Sequence, residues 1–290
     1  MPISHLLLWT ALWVSFTGIT PIAAADREEA IPALGSAAHP DPTATHHLHV
    51  FWASLSMEGR QAEAMKIARQ LARTVTEGQA NRDTWKARHL AAPLWTMIRF
   101  GQWDPLLREL PPPKTLRLQQ AVWRLGRGLA LSSSGRLPGA EGEHAVLAGM
   151  IKKLGRDRSA EEKTERVLVK IAERLLAGDI AMHQNNRDAA TTALLEATKL
   201  EDELPYSEPP LWPIPIRHYL GALLLKTGLF SRAESVYRAD LGRNPQNGWA
   251  YYGLLQSLRL QQKKREATRI EAQFKRVWAQ ADVSLTSSRF

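Results

Sequence analysis

Residues 218–274 contain two copies of one short pattern, and this repetition is the feature that most restricts the fold. In the first copy, Ala233 lies five residues after Gly228. In the second copy, Ala267 lies five residues after Gln262, and the two alanines are 34 residues apart. A small residue at a fixed distance behind a turn is typical of two helices that pack closely across that turn. The repetition therefore predicts helix pairs that follow one another along the chain.

The first copy carries a longer pattern, formed by Leu220-Gly221, Gly228, Ala233, Tyr237 and Pro245. This pattern resembles the tetratricopeptide-repeat (TPR) family. The resemblance implies an all-α fold, a TPR-like right-handed α-solenoid of about five to six helix-turn-helix units. Small residues are expected where the two helices of a unit approach each other, and the proline is expected where the second helix ends.

Earlier segments repeat the pattern less completely. The predicted small and turn positions are Gly59 and Ala64 in the first unit, Gly128, Gly135 and Ala140 in the third, and Gly178, Ala190 and Ala197 in the fourth. In the second unit Leu106 replaces the small residue after the turn glycine Gly101, and in the fourth Asn185 replaces the turn glycine. From Leu204 onward the chain also resembles the C-terminal part of predicted bacterial TPR-repeat proteins, many of which are longer.

Composition and repeat spacing divide the chain into segments. The predicted order is a signal peptide (1–25), a linker (26–45), N-terminal TPR-like repeats (46–145), a charged spacer (146–166), C-terminal TPR repeats (167–279) and a tail (280–290). A Pro-rich insertion at 204–215 interrupts the C-terminal repeats. We predict that the spacer is irregular or a solvated helix. The tail is expected to pack at its start as a cap and to fray at its end.

Residues 1–25 contain no Lys, Arg, Asp or Glu, and an apolar run precedes the small residues Ala23-Ala24-Ala25. This order is typical of a secretory signal that is cleaved after Ala25, so the sequence predicts an exported protein, periplasmic or secreted. The alternative is an uncleaved segment, residues 3–25, that anchors the chain to a membrane, since about 20 apolar residues span a bilayer. We favour cleavage because polar residues, Gly and Pro dilute the apolar run.

Composition and motifs also exclude several kinds of chemistry. The chain has no cysteine, which excludes disulfides, thiol catalysis and Cys-based metal sites. It contains no Gly-rich phosphate loop, no G-x-S-x-G and no H-E-x-x-H motif. The net charge of +9 leaves nucleic-acid binding through basic helix faces as a second alternative, with Lys263-Lys264-Arg265 as the densest group. Glu266 and Glu271 interrupt that group, so we interpret it as a solvated helix face and expect no nucleic-acid partner.

A cluster of histidines offers the first alternative, a metal-binding or enzymatic module. His46, His47 and His49 lie within four residues, and His39 and His89 lie nearby in the sequence. Imidazole is a common ligand of zinc and copper. On a helix, however, His46 and His49 share a face that His47 does not. We therefore assign no metal, cofactor or catalytic residue and expect these side chains to contact a partner or solvent.

The TPR resemblance implies a non-enzymatic scaffold that binds a protein or peptide partner on its concave face. By register, ten residues are predicted to face this groove: His46, His49, Arg99, Asp179, His183, His218, Lys226, Trp249, Tyr252 and Arg259. The Pro-rich insertion is stiff and apolar, because five prolines limit its conformations while Trp212 and its neighbours offer apolar surface. We predict that Trp212 is buried against the fourth and fifth units, since a large exposed apolar patch is uncommon on a soluble protein.

Overall fold

The computed structural model describes residues 42–81, 83–154 and 159–290, and all regular secondary structure in these ranges is α-helical. The predicted all-α class is confirmed for this part of the chain. Thr45–Phe290 forms one compact unit, and the other unit, Met1–Ala44, lies almost entirely outside the described residues. The predicted signal peptide at 1–25 and most of the linker are therefore not described. None of the helices in the described ranges is both long enough and apolar enough to cross a membrane.

Thirteen helices follow one another in the described ranges. Their bounds are α1 Pro42–Met57, α2 Gln61–Arg73, α3 Glu77–Ala80, α4 Thr84–Arg99, α5 Trp103–Arg108, α6 Arg117–Ser133, α7 Leu137–Lys153, α8 Ala160–His183, α9 Arg187–Asp202, α10 Ile216–Lys226, α11 Phe230–Arg243, α12 Gly248–Leu260 and α13 Lys264–Val277. Helix α1 begins inside the predicted linker 26–45, and α7 and α8 extend into the predicted spacer 146–166 from both sides. The described residues of that spacer are therefore mostly helical.

One kind of turn joins the helices of six pairs, and α3 lies between the first pair and the second without belonging to either. The turn residues have a φ between 59° and 81° and are Gly59, Gly101, Gly135, Asn185, Gly228 and Gln262. In each turn the next residue donates its backbone N–H to a carbonyl five positions earlier, as Leu229 does to Leu224. This hydrogen bond satisfies a carbonyl that the end of the first helix leaves unpaired. Glycine adopts such a φ without steric cost, and asparagine tolerates it better than most residues.

Five positions after each turn residue, a side chain is buried between the helices. These side chains are Ala64, Leu106, Ala140, Ala190, Ala233 and Ala267, and none is more than 6% exposed. Glycines on the first helices allow equally close packing. A Cβ at Gly128 would collide with Leu176, and one at Gly221 would collide with the ring of Tyr237. The spacing in the sequence thus marks the places where neighbouring helices pack most tightly.

The first two helix pairs also contact the last two. Trp249 on α12 donates its indole N–H to the carbonyl of Ser56 on α1, at 3.0 Å. The guanidinium of Arg99 on α4 lies 3.9 Å from the centroid of the Trp249 ring. In a simple repeat array each unit contacts only its neighbours. The core of the compact unit Thr45–Phe290 therefore depends on contacts between residues almost 200 positions apart, as well as on contacts between neighbouring helices.

The Pro-rich insertion at 204–215 packs against α4. Trp212 is 2% exposed, and its ring meets that of Trp95 edge to face, with the centroids 4.7 Å apart. Arg88 donates to the carbonyl oxygens of Pro209 and Pro210, at 2.9 and 2.7 Å. The predicted burial of Trp212 is confirmed. The prediction named the fourth and fifth units as its neighbours, whereas the ring that it contacts belongs to the second pair.

Candidate functional site

The tail, residues 280–290, forms no helix, bends at 282–283 and 286–288, and contacts residues on several helices. Its side chains alternate: Asp282, Ser284 and Thr286 are exposed, whereas the residues between them are half-buried. Ser288, near the end, is only 1% exposed. The prediction that the tail frays at its end is therefore wrong. Side chains from distant helices hold it, and these contacts define the candidate site.

The root of the tail is fixed at the first turn of the described chain. The ring of Trp278 covers Gly59 and Gly248, where an added Cβ would collide with it. The carboxylate of Asp282 accepts hydrogen bonds from the backbone N–H groups of Gln61 and Ala62, at 2.6 and 2.9 Å. These amides begin α2 and have no partner within the helix. The tail therefore supplies the N-terminal cap that α2 lacks in its own sequence.

Ser288 is held by two groups on neighbouring helices. Its hydroxyl donates to the backbone carbonyl of His218 on α10, at 2.8 Å. It also lies 2.7 Å from the phenol oxygen of Tyr237 on α11, within hydrogen-bonding distance. Burial raises the pKa of Tyr237 above its usual value, so the phenol stays protonated at neutral pH. A small hydroxyl side chain thus fits between a fixed carbonyl and a fixed phenol.

Arg289 pairs with a buried carboxylate. Its guanidinium donates to Asp179 Oδ1 on α8, at 2.6 Å, and lies 5.2 Å from the centroid of the Tyr219 ring. Asp179 is 1% exposed, and its second oxygen lies 3.5 Å from His183 Nδ1. An ionised carboxylate at such depth is stable only with a cation or several donors beside it. Arg289 therefore supplies charge that this part of the interior needs.

Phe290 completes the row of contacts. Its ring meets the ring of Trp249 edge to face, with centroids 5.5 Å apart. A Cβ at Gly101 would lie 2.5 Å from the Phe290 side chain, so this turn glycine also makes room for the aromatic ring. Edge-to-face pairs of this kind add to the stabilisation that apolar burial gives.

A buried polar network lies beneath the tail. Arg99 Nη1 lies 2.8 Å from His218 Nδ1, and His218 Nε2 lies 3.0 Å from Asp240 Oδ2. Arginine can only donate, so Nδ1 accepts, and Nε2 carries the proton that it donates to Asp240. Asn247 donates to the same carboxylate oxygen, at 2.8 Å. The imidazole thus links a guanidinium to a carboxylate and fixes α4, α10 and α11 relative to one another.

Burial governs the ionisation of this network. It lowers the pKa of Arg99 to about 9, with Tyr219 and Asp240 acting in the opposite direction. It also lowers the pKa of His218, an effect that the carboxylate of Asp240 opposes. His218 is fully buried, and both ring nitrogens already have hydrogen-bond partners. The imidazole therefore has no nitrogen free to exchange a proton with a bound molecule, and the network acts as a rigid floor for the tail.

The structure brings five of the ten predicted groove residues together. Arg99, His218 and Trp249 form the floor below the tail, and Asp179 binds it with His183 alongside. The prediction gave these positions to a groove open to a partner. Instead Arg99, Asp179, His218 and Trp249 are all buried, partly beneath residues 288–290 of the same chain.

The other five predicted groove residues lie elsewhere or face solvent. His46 and Lys226 are exposed, and His49 is buried. Tyr252 packs on Phe274 with centroids 5.7 Å apart, and Arg259 pairs with Glu271 on α13 at 2.8 Å. None of these contacts involves the tail. The register assigned ten residues to one groove, and the structure distributes them between the floor below the tail, contacts with other helices and the surface.

The histidine cluster does not converge on one point. His49 and His89 have ring centroids 4.8 Å apart in a buried pocket, whereas His46 and His47 are exposed. Within the described ranges, no group of three or more His, Cys, Asp or Glu side chains could hold a metal ion. Burial, followed by the charge of Arg88, lowers the pKa of His49 to about 2 and that of His89 to about 4. Both rings are neutral at neutral pH, and that of His49 also packs against Trp52 and Trp85.

Three members of the basic group near α13 form ion pairs. Lys263 lies 2.7 Å from Glu234, and Arg259 and Lys275 both pair with Glu271. These ion pairs reduce the positive field that a nucleic acid could bind.

Several residues of the site were missed by reasoning from the sequence: Tyr219, Asp240, Asn247, Asp282, Ser288, Arg289 and Phe290. Polar residues such as Asp240 stand on the faces that pack into the core, and a buried polar group needs a partner. A polar residue at a core-facing position could therefore have indicated the buried polar network. For the tail, a hydroxyl, a cation and an aromatic ring in succession could have indicated side chains able to bind.

No protein-family model, no curated protein and no solved structure matches this chain.

Proposed function

We propose that the protein is a non-enzymatic scaffold of the TPR type, with a right-handed α-solenoid arrangement, that binds an extended segment of a protein partner. Support for the TPR assignment comes from six turns of one geometry, each followed five residues later by a buried side chain that is small in five of them. A Gly or Ala at such a position lets helices approach as that family requires.

One observation carries the binding function: the site already holds a non-helical segment. Ser288 contacts a carbonyl on α10 and a side chain on α11, Arg289 contacts a side chain on α8, and Phe290 contacts a side chain on α12. Recognition of peptides commonly uses such fixed pockets for individual side chains along an extended chain. A surface that binds its own segment in this way has the chemistry to bind a similar segment from another protein.

We further propose that the protein acts after export, in the periplasm or outside the cell. The support is the uncharged apolar run that ends in Ala23-Ala24-Ala25. Intact-mass measurement of protein purified from its native cells tests this. A mass beginning at Asp26 is the expected result, and full-length chain in the membrane fraction would favour an anchor.

Selection of displayed random peptides tests the binding function. The bait is a triple variant, Ser288→Ala with Arg289→Ala and Phe290→Ala, whose tail no longer competes for the site. The matched control is Ser284→Ala with Thr286→Ala, which changes two exposed residues of the same tail. We expect peptides to be enriched on the triple variant and not on the control. If circular dichroism shows both variants folded and neither enriches peptides, the binding function is wrong.

A further inference from the structure

We infer that the tail is an internal occupant of the binding site, and that the partner displaces it with a segment of the same chemistry. That segment has Ser or Thr, then Arg, then an aromatic residue. The inference rests on the proposed function, because it names the ligand class and the regulation of the same site. It is argued from the contacts of Ser288, Arg289 and Phe290.

Each of these three residues has a separate receptor. The hydroxyl of Ser288 fits between a carbonyl and a phenol, where a larger side chain would meet Tyr237. The cation of Arg289 meets Asp179, and the ring of Phe290 meets Trp249. The receptors lie on different helices, so their spacing is set by the packing of those helices. A ligand must therefore present a hydroxyl, a cation and a ring in consecutive positions.

The buried carboxylate favours a cation most strongly. A ligand that is neutral at this position would leave Asp179 ionised in the interior without the cation that Arg289 now supplies, which is costly. Asp179 Oδ2 accepts no hydrogen bond from any described residue, while Oδ1 accepts one from Arg289 Nη1. Arginine can donate two parallel N–H groups to both oxygens of a carboxylate. An arginine from a partner can therefore donate to both oxygens of Asp179, whereas Arg289 donates to one of them.

The end of the tail can also leave without disrupting a helix. Within the described ranges, residues 283–290 form no backbone–backbone hydrogen bond. The carbonyl of Val283 accepts from the indole of Trp278 at the root, and beyond it the side chains of Ser288, Arg289 and Phe290 make the contacts. Segments with few backbone hydrogen bonds open at low free-energy cost. The root stays attached through Asp282 and Trp278. Because the tail is tethered, it competes with a partner segment at a high effective concentration. Only a partner segment that binds the site tightly enough can displace it.

A probe on the tail tests the inference directly. Because the chain has no cysteine, Thr286→Cys gives one labelling position, and that residue is exposed. A spin label there reports the mobility of the tail. The full chain is titrated with a synthetic peptide of residues 283–290, Val-Ser-Leu-Thr-Ser-Ser-Arg-Phe. We expect saturable mobilisation of the label as the peptide replaces the tail.

Two matched comparisons show whether the release is specific. The same peptide with Glu in place of Arg should bind about tenfold to a hundredfold more weakly, as expected for the loss of a charged hydrogen bond. The protein variant Asp179→Asn should lose its preference between the two peptides. Equal release by both peptides on the unmodified protein would overturn the inference, and this result does not depend on whether Asp179→Asn folds.

Two further outcomes separate the inference from its alternatives. Label mobility that changes with protein concentration alone, together with dimers in light scattering, would overturn it in favour of tail exchange between two copies. Selected peptides without the Ser/Thr-Arg-aromatic order would also overturn it while leaving the binding function intact. Selected peptides with that order, which release the label, support both.

Discussion

The Pro-rich insertion and the tail are both non-helical segments that lie on helices far from them in the sequence, but different forces hold them. In the insertion, Trp212 is buried against Trp95, and Arg88 binds two backbone carbonyls. In the tail, Asp282 caps a helix with its carboxylate, Arg289 forms an ion pair and Phe290 meets the ring of Trp249.

This difference separates a permanent part of the core from an exchangeable one. Water cannot replace the burial of an indole ring, so the insertion leaves its place only when the protein unfolds. Water can replace the hydrogen bonds of the exposed cap Asp282, and a ligand that carries a cation can replace Arg289 beside the buried Asp179. We therefore expect changes in the insertion to alter the free energy of unfolding strongly, and a change at the exposed cap Asp282 to alter it weakly.

The largest effect is expected for Trp212→Ala. Removing this buried ring should lower the free energy of unfolding by about 3 kcal/mol, as for other large core aromatic residues. Urea unfolding followed by circular dichroism measures it. The matched control is Tyr206→Ala, which removes an exposed ring, 76% accessible, from the same insertion. If both variants unfold at the same urea concentration as the parent, the insertion is not held by apolar burial.

Next comes Gly221→Leu, which tests the packing beneath the tail. The added side chain would collide with Tyr237, the residue that contacts Ser288. We expect a loss of about 2 kcal/mol from overpacking. Gly242→Leu is the control, because a Cβ there meets no atom within 4 Å. Equal melting temperatures for the two variants would show that α10 and α11 do not pack as closely as described.

Acid should weaken the side of the molecule that holds the insertion. Burial, and after it the charge of Arg88, lowers the pKa of His49 from 6.5 to about 2 in the folded protein. Because the unfolded chain binds the proton more readily, stability rises with pH in this window and falls on acidification. Between pH 7.5 and pH 5.5, His49 should account for a loss of about 1.4 kcal/mol.

Two variants measure the contribution of His49 to this loss of stability. His49→Gln should lose correspondingly less stability over the same interval, in urea unfolding at both pH values. His47→Gln changes an exposed neighbour and should keep the pH dependence of the parent. The same slope in both variants would mean that His49 is protonated in the folded state.

The smallest effect is expected for Asp282→Ala at the root of the tail. It removes the cap of α2 and should cost about 1 kcal/mol, the usual contribution of a helix N-cap. Ser284→Ala, an exposed position two residues on, is the control. Hydrogen exchange of the Gln61 and Ala62 amides gives a local measurement, and their protection should fall only in the Asp282 variant. A loss as large as that of Trp212→Ala would remove the distinction between the two segments.

The sequence by itself determined the features that depend on neighbouring residues. Gly228 and Ala233 could be assigned because the turn and the first helical contact after it involve residues within about two helical turns of each other. The all-α class followed from the same local rules, whereas the bounds of α1, α7 and α8 did not. The burial of Trp212 was also predictable, since prolines and apolar side chains leave the insertion few other stable arrangements.

Only the tertiary structure decided what the site contains. Arg289 and Asp179 are 110 positions apart, and Gln61 and Asp282 are 221 apart, so no short pattern relates them. The helical period could indicate that Asp179 and His218 share one face of the molecule. It could not show that residues 288–290 cover that face, because a long loop closes at nearly the same entropic cost wherever it ends. The choice among such endings depends on charge and shape complementarity, which exist only once the helices have packed.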